Sequence, residues 1–163
     1  MSERLRPQPW RGRTGRAFSV RHDDICAGGV NSMQAFIERF EGTAVQTDER
    51  DIASPRDAEA AIDMLDGRSV TSVTFENGEA PRLMVSGGPG AYLASIWDDE
   101  AGTSWVASDP GAVDRDREVE MVSAGQSVRV PAPQILSRAR LGAVVAQFVE
   151  DGARSDAVIW RAE

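Results

Sequence analysis

Three stretches of this chain carry residue types from which chemistry is made. Asp98-Asp99-Glu100 and Asp114-Arg115-Asp116 gather carboxylates that could hold a metal ion or exchange protons. Gly87-Gly88-Pro89-Gly90 is rich in glycine, as loops that cradle phosphate are. Serines offer hydroxyl nucleophiles. None of these carries its chemistry through. A calcium loop needs a longer, regular run of oxygen ligands closed by a bidentate Glu, and neither acidic cluster has one. The glycine run lacks the Gly-Lys-Ser/Thr ending, and no helix follows to offer its N-terminal N–H groups. It reads instead as a tight connection between two antiparallel strands. No Gly-x-Ser-x-Gly elbow is present, and the single histidine, His22, lies in a stretch too poor in apolar residues to hold a base in place. The carboxylates fall in expected turns, where nothing would shift their pKa for acid–base work. The expectation is a protein that is not an enzyme, with no catalytic residue, no metal and no cofactor.

The same residues are well suited to binding. Trp97 and Trp105 flank the acidic turn Asp98-Asp99-Glu100, each at the end of a strand. Aromatic anchors beside carboxylates are the composition of an interface centre that faces a basic partner. Trp97, Asp98, Asp99, Glu100 and Trp105 are therefore candidates for a protein contact, and Asp109, Asp114, Asp116 and Glu118 for a second acidic patch. Core packing of either ring competes with this reading, because alternation alone does not settle which face each ring occupies.

Charge favours a basic partner too. The chain carries a formal charge of −8, unevenly spread. Residues 1–24 hold six arginines against Glu3, Asp23 and Asp24, a balance of +3, which leaves −11 for the rest. A body so acidic repels phosphate backbones, so direct nucleic-acid binding is not expected. Solubility alone would also account for it. With 163 residues, the chain makes one ordinary domain that buries about 70% of its unfolded surface. No run of about 18 apolar residues offers a membrane span. The lone cysteine, Cys26, and the absence of an apolar segment after the first arginines point to a reducing cytoplasm rather than export.

The elements that must position these residues fall into two kinds. Residues 1–29 read as a flexible basic arm, punctuated by Pro and Gly, in which a short strand around Phe18 to Val20 is the only element. Residues 30–163 read as a single α+β domain. A first helix is expected over residues 31–41, with Met33, Phe36, Ile37 and Phe40 on one face and Gly42 as its stop. A second begins at Ser54-Pro55-Arg56-Asp57, where Ser54 fits the N-cap, Pro55 the first helical position and Asp57 the capping acid. Its buried face is Ala58, Ala61, Ile62 and Leu65, and Asp66-Gly67 closes it. From Val70 to Val130 the period becomes two, with turns at Asn77-Gly78, Gly87–Gly90, Asp98–Gly102 and Ala124–Gln126. A last helix carries Leu141, Val144, Val145, Phe148 and Val149 on one face, stops at Gly152, and leads to a final strand ending at Trp160. Helices bracketing hairpin-connected strands imply an antiparallel sheet of about five to seven strands with two or three helices packed against it.

Taken together, residues from about 54 to 160 resemble the immunity-protein-one family of bacterial polymorphic toxin systems. The resemblance is carried by Ser54-Pro-Arg-Asp-Ala-Glu-Ala-Ala-Ile-Asp-Met-Leu-Asp-Gly67 and Leu83-Met-Val-Ser-Gly-Gly-Pro-Gly-Ala-Tyr92. Gly125-Gln126 with Val130-Pro131-Ala132, and Ala146-Gln-Phe-Val-Glu-Asp-Gly152 with Trp160, complete it in order. Such proteins bind and neutralise a cognate toxin, often one with a nucleic-acid deaminase domain. The resemblance thus implies a basic toxin catalytic domain as partner, bound one-to-one and occluded in the producing cell. It implies structural roles for Gly88, Gly90, Gly125 and Trp160, with toxin contacts in the variable loops. Residues 1–45 depart from the family pattern. The alternative reading of a small acidic domain without chemistry is a secretion chaperone that holds an effector before export.

Overall fold

The computed structural model describes residues 32–78 and 81–163. The basic arm expected over residues 1–29, with His22 and Cys26, lies outside the described residues.

The expected helix over residues 31–41 is instead a strand, β1, Met33–Glu41, and it forms a hairpin with β2, Ala44–Ile52, across Gly42-Thr43. The apolar residues of this segment fit two periods at once. Met33, Phe36, Ile37 and Phe40 fit a helix, whereas Met33, Ala35 and Ile37 fit a strand, and these last three are the ones buried. Pairing decides between them. β1 is hydrogen-bonded on both sides, to β2 and to β3 (Val70–Glu76), and those ladders override the local preference.

The other elements follow the expected order. Helix α1, Pro55–Ile62, starts where Ser54 accepts a hydrogen bond from the Asp57 N–H, and the Ser54 hydroxyl in turn donates to the Asp57 carboxylate at 2.7 Å. Strands β4 (Arg82–Gly88), β5 (Ala91–Asp98), β6 (Thr103–Ser108), β7 (Glu118–Ser123) and β8 (Gln126–Pro131) come next. A 3-10 turn over Ala132–Gln134 leads to helix α2, Arg138–Asp151, and to strand β9, Ile159–Ala162. Seven strands form one antiparallel sheet in the order β2-β1-β3-β4-β5-β6-β9, and β7 and β8 pair apart from it. The fold is α+β.

Register shows what each face of the sheet holds. Ile37, Val73, Val85 and Ala94 lie opposite one another across four strands and point to one face. They join Ala58, Ala61 and Ile62 of α1 and Leu141, Val144, Val145 and Phe148 of α2 in a single core. Both helices therefore cover the same face, and the Arg138 guanidinium ties them by donating to Asp63 at 2.8 Å. Among the described residues, the opposite face is covered by the β7–β8 hairpin. Met121 and Val130 of the hairpin are buried, as is Val106 of β6, yet none of them joins the helix-side core.

Two glycines let these layers close up. A Cβ on Gly88 would sit 2.4 Å from the Gly67 nitrogen, so the loop after α1 rests directly on the β4 backbone. A Cβ on Gly125 would come within 2.5 Å of the Phe40 ring, so the hairpin tip lies flat on β1. The Gly125 N–H also donates to Thr71 Oγ1 at 2.8 Å, which pins the tip to the sheet. Beside Gly67, the Asp66 carboxylate organises the turn into β3. The Ser69 hydroxyl and the main-chain N–H groups of Arg68, Val70 and Ser69 donate to it, outweighing the opposing effect of burial and holding its pKa at about 2, against an ordinary 3.8.

Candidate functional site

The turn from β5 to β6 is the centre of the candidate surface. Trp97 pairs with Ser104 and Asp98 with Thr103, which leaves Asp99 to Gly102 as the turn. The Asp98 carboxylate accepts the Ala101 N–H at 2.8 Å, so one carboxylate oxygen of the acidic cluster is used to shape the turn itself. Asp99 forms an ion pair with Arg82, which also lies 3.8 Å from Glu76. Glu100 is exposed, and its side chain makes no hydrogen bond or ion pair to the described residues.

The two tryptophans part company here. Residues paired across an antiparallel ladder share a face, and neighbours along a strand do not. Trp105 pairs with Ile96, so it points to the helix side, where it packs half-buried against the core. Trp97, one residue further along β5, points to the opposite face and is 39% exposed. The structure therefore does not bring the two rings into one patch. It sets one on each side of the acidic turn.

On its own face, Trp97 has Arg82 and Ser104 as cross-strand neighbours. The row beside it runs Phe36, Thr74, Met84 and Ser95, of which the first three are half-exposed. Glu49 of β2 stands opposite Phe36, and Asp51 opposite Gln34. Among the described residues, this half of the face is thus a half-exposed strip with apolar side chains at its middle and carboxylates at its β2 edge and at the β5–β6 turn. The sequence pointed to Trp97 but not to Phe36 or Met84, because Phe36 was assigned to a helix face. Only the strand register, once known, puts these residues side by side.

The second acidic patch is divided as well. Asp109 is half-buried and structural: it accepts the Gly111 N–H at 2.7 Å and pairs with the Arg140 guanidinium at 3.0 Å. Arg140 also donates to the Ala157 carbonyl, so this network anchors the loop after β6 to α2 and to the approach to β9. Asp114, Asp116 and Glu118 are exposed, with side chains that make no hydrogen bond or ion pair to the described residues. They lie beyond one end of β6 while Asp98 to Glu100 lie beyond the other. Six strand residues separate the two ends, about 20 Å. A protein interface of standard size, about 800 Å² per partner, is wide enough to span both.

Among the described residues no group of three or more His, Cys, Asp or Glu side chains is placed to hold a metal ion. No described helix is long and apolar enough to cross a membrane.

A sheet covered by helices on one face, with exposed Trp97 beside an acidic turn on the other, defines a small α+β domain. Residues 46–162 match the family model described as Immunity protein Imm1, and the chain belongs to that family. No curated protein matches it. The match begins inside β2 and so excludes β1, although β1 stands between β2 and β3 in the sheet. The departure of residues 1–45 from the family pattern therefore includes a strand that is paired on both sides within the sheet. Of the residues given structural roles, Gly88 lies against the Gly67 backbone and Gly125 against the Phe40 ring, neither with room for a side chain; Gly90 has open space around it but a φ of +93°, and the half-buried Trp160 indole N–H donates to the Ser155 carbonyl at 3.0 Å.

Proposed function

We propose that this immunity protein neutralises its cognate toxin by covering the active or substrate-binding site of the toxin's catalytic domain, one-to-one, in the cytoplasm of the producing cell. The toxin is of the class that acts on nucleic acid, with a deaminase-type domain. The reading rests on family membership, and one observation carries the mode of action. Exposed Trp97 stands between an acidic turn and a half-exposed sheet face on a chain with a formal charge of −8. A toxin that acts on nucleic acid needs a cationic substrate groove. Carboxylates presented around an aromatic anchor occupy such a groove by standing in for phosphates, and they speed the encounter through complementary fields. The immunity protein supplies surface and charge, and no bond is made or broken.

Co-expression with the toxin domain encoded beside its gene tests this. Survival of the host, together with a stable one-to-one complex in which the toxin is inactive, is the expected result. A complex in which the toxin remains active would instead assign the acidic chaperone role, and killing with no complex would remove the inhibitory reading.

A further inference from the structure

Behind the acidic turn, on the helix side, lies a cleft of about 500 Å³ between the ends of β5, β6 and β9 and the loop that follows α2. Trp105 and Trp160 form its aromatic walls, Ile96 and Val158 its floor, and Asp98 and Asp156 its acidic rim. We propose that this cleft receives one cationic side chain, an arginine or lysine, from the toxin, and that Arg154 is its built-in placeholder. The proposal rests on the inhibitory reading above and names the chemistry that one part of the partner must present.

Arg154 shows what the cleft selects. Its guanidinium carbon lies 4.5 Å from the centroid of the Trp105 ring, the stacking distance of a cation on a π face. The residue is exposed and forms no ion pair to the described carboxylates, so the ring is what holds it. Such a contact at an exposed site is weak and easily exchanged for another guanidinium or ammonium group. The walls, by contrast, are fixed. The Trp160 indole N–H is bound to the Ser155 carbonyl, the buried Ser155 hydroxyl accepts the Ala157 N–H at 3.2 Å, and the Ala157 carbonyl accepts from Arg140. A rigid aromatic slot with one movable cation is preorganised for exchange, because binding orders only the incoming side chain.

Charge complementarity gives the occupant. Asp156 is exposed and its carboxylate makes no hydrogen bond or ion pair to the described residues; on Asp98 only Oδ1 is used, by the turn. Two rim carboxylates and one placeholder cation leave room for a second positive charge, whereas an incoming anion would meet both carboxylates. A toxin with a cationic groove carries arginines and lysines at the surface that the turn would cover, so Trp97 and this cleft would grip the partner from the two sides of the same hairpin.

The test uses the full-length protein in two arms. In the first, N-methylguanidinium is titrated while the indole N–H resonances of Trp105 and Trp160 are followed by NMR. Saturable shifts at both, with half-saturation at several-fold lower concentration in Arg154→Ala, are expected. Shifts that are absent or linear in both proteins overturn the cleft as a cation site. The second arm measures toxin affinity for the wild type and for Asp156→Arg, a substitution at an exposed position that leaves the fold intact. A loss of about tenfold or more is expected. Unchanged affinity with a wild-type complex present overturns the cleft's role while the inhibitory reading stands. No wild-type complex at all removes that reading, and the first arm then decides the cleft on its own.

Discussion

On the helix side of the sheet, Ile37, Val73, Val85 and Ala94 form one cross-strand row, and every member is wholly shielded from solvent. The next row, Phe36, Thr74, Met84 and Ser95, faces the other way, and its first three members are half-exposed. The same four strands thus carry a finished core on one side and an unfinished one on the other. This row of the core face is aliphatic and closely packed because two helices must pack on it without voids. The other face mixes hydroxyls with a few large apolar groups, because only part of it is covered by the β7–β8 hairpin. A face of that composition is the kind that carries apolar contact to a partner while remaining partly polar. The difference separates the residues that make the fold from those free to serve recognition.

Substitutions on the two faces should therefore have different readouts. The largest effect is expected on the sealed side. Phe148→Ala removes a ring that is 1% exposed and should cost about 3–5 kcal/mol of stability, seen as a lowered denaturation midpoint. A loss below about 1 kcal/mol would mean that α2 repacks freely and that the core face is less specific than its rows suggest. On the open side, Trp97→Ala should leave the midpoint almost unchanged and cost about 2 kcal/mol of toxin affinity by calorimetry. A stability loss with no loss of affinity would reverse the assignment of the two faces. A smaller effect is expected from charge. Reversing Asp98, Asp99 and Glu100 together should slow association about tenfold and flatten its dependence on salt. Unchanged kinetics would take the turn out of the contact.

The smallest expected effect concerns the seam between the layers. The fold holds the Asp66 carboxyl at about 2, below 3.8, so it favours the ionised form. The resulting stability is present above about pH 4 and is lost as the pH falls through 3.8 toward 2. Asp66→Asn lacks this contribution. The difference in melting temperature between wild type and variant should therefore be largest near neutrality and shrink toward pH 2. A difference that stays constant across that range would show that the turn uses the shape of the side chain and not its charge.

Local signals were legible wherever one short-range rule acted alone. Ser54-Pro55 with Asp57 specifies a helix start through caps within four residues, and α1 begins there. The face Leu141, Val144, Val145 and Phe148 follows from the period of a single helix, and all four residues are buried. The strands on either side of the glycine run were equally plain, although Gly87 and Gly88 still pair within β4 and the turn is Pro89-Gly90. Residues 31–41 were not, since their apolar groups satisfy both the helical and the strand period. The deciding ladders come from β2, which is charged and exposed over most of its length, and from β3, more than 30 positions away.

The candidate site divides along the same line. Sequence alone placed tryptophans and carboxylates at the β5–β6 turn, because residue type and turn chemistry are properties of neighbouring positions. It set the acidic charge of the body, the family to which the chain belongs, and the helices that seal one face. Tertiary structure alone decided that Trp97 and Trp105 face opposite ways, that Asp99 is paired with Arg82, and that Asp109 is tied to Arg140. It alone brought Arg154 onto Trp105, and Phe36 beside Met84 across Thr74. The reason is physical: a one-residue change of register moves a side chain to the other face of a sheet, and register is fixed by partners distant in the chain.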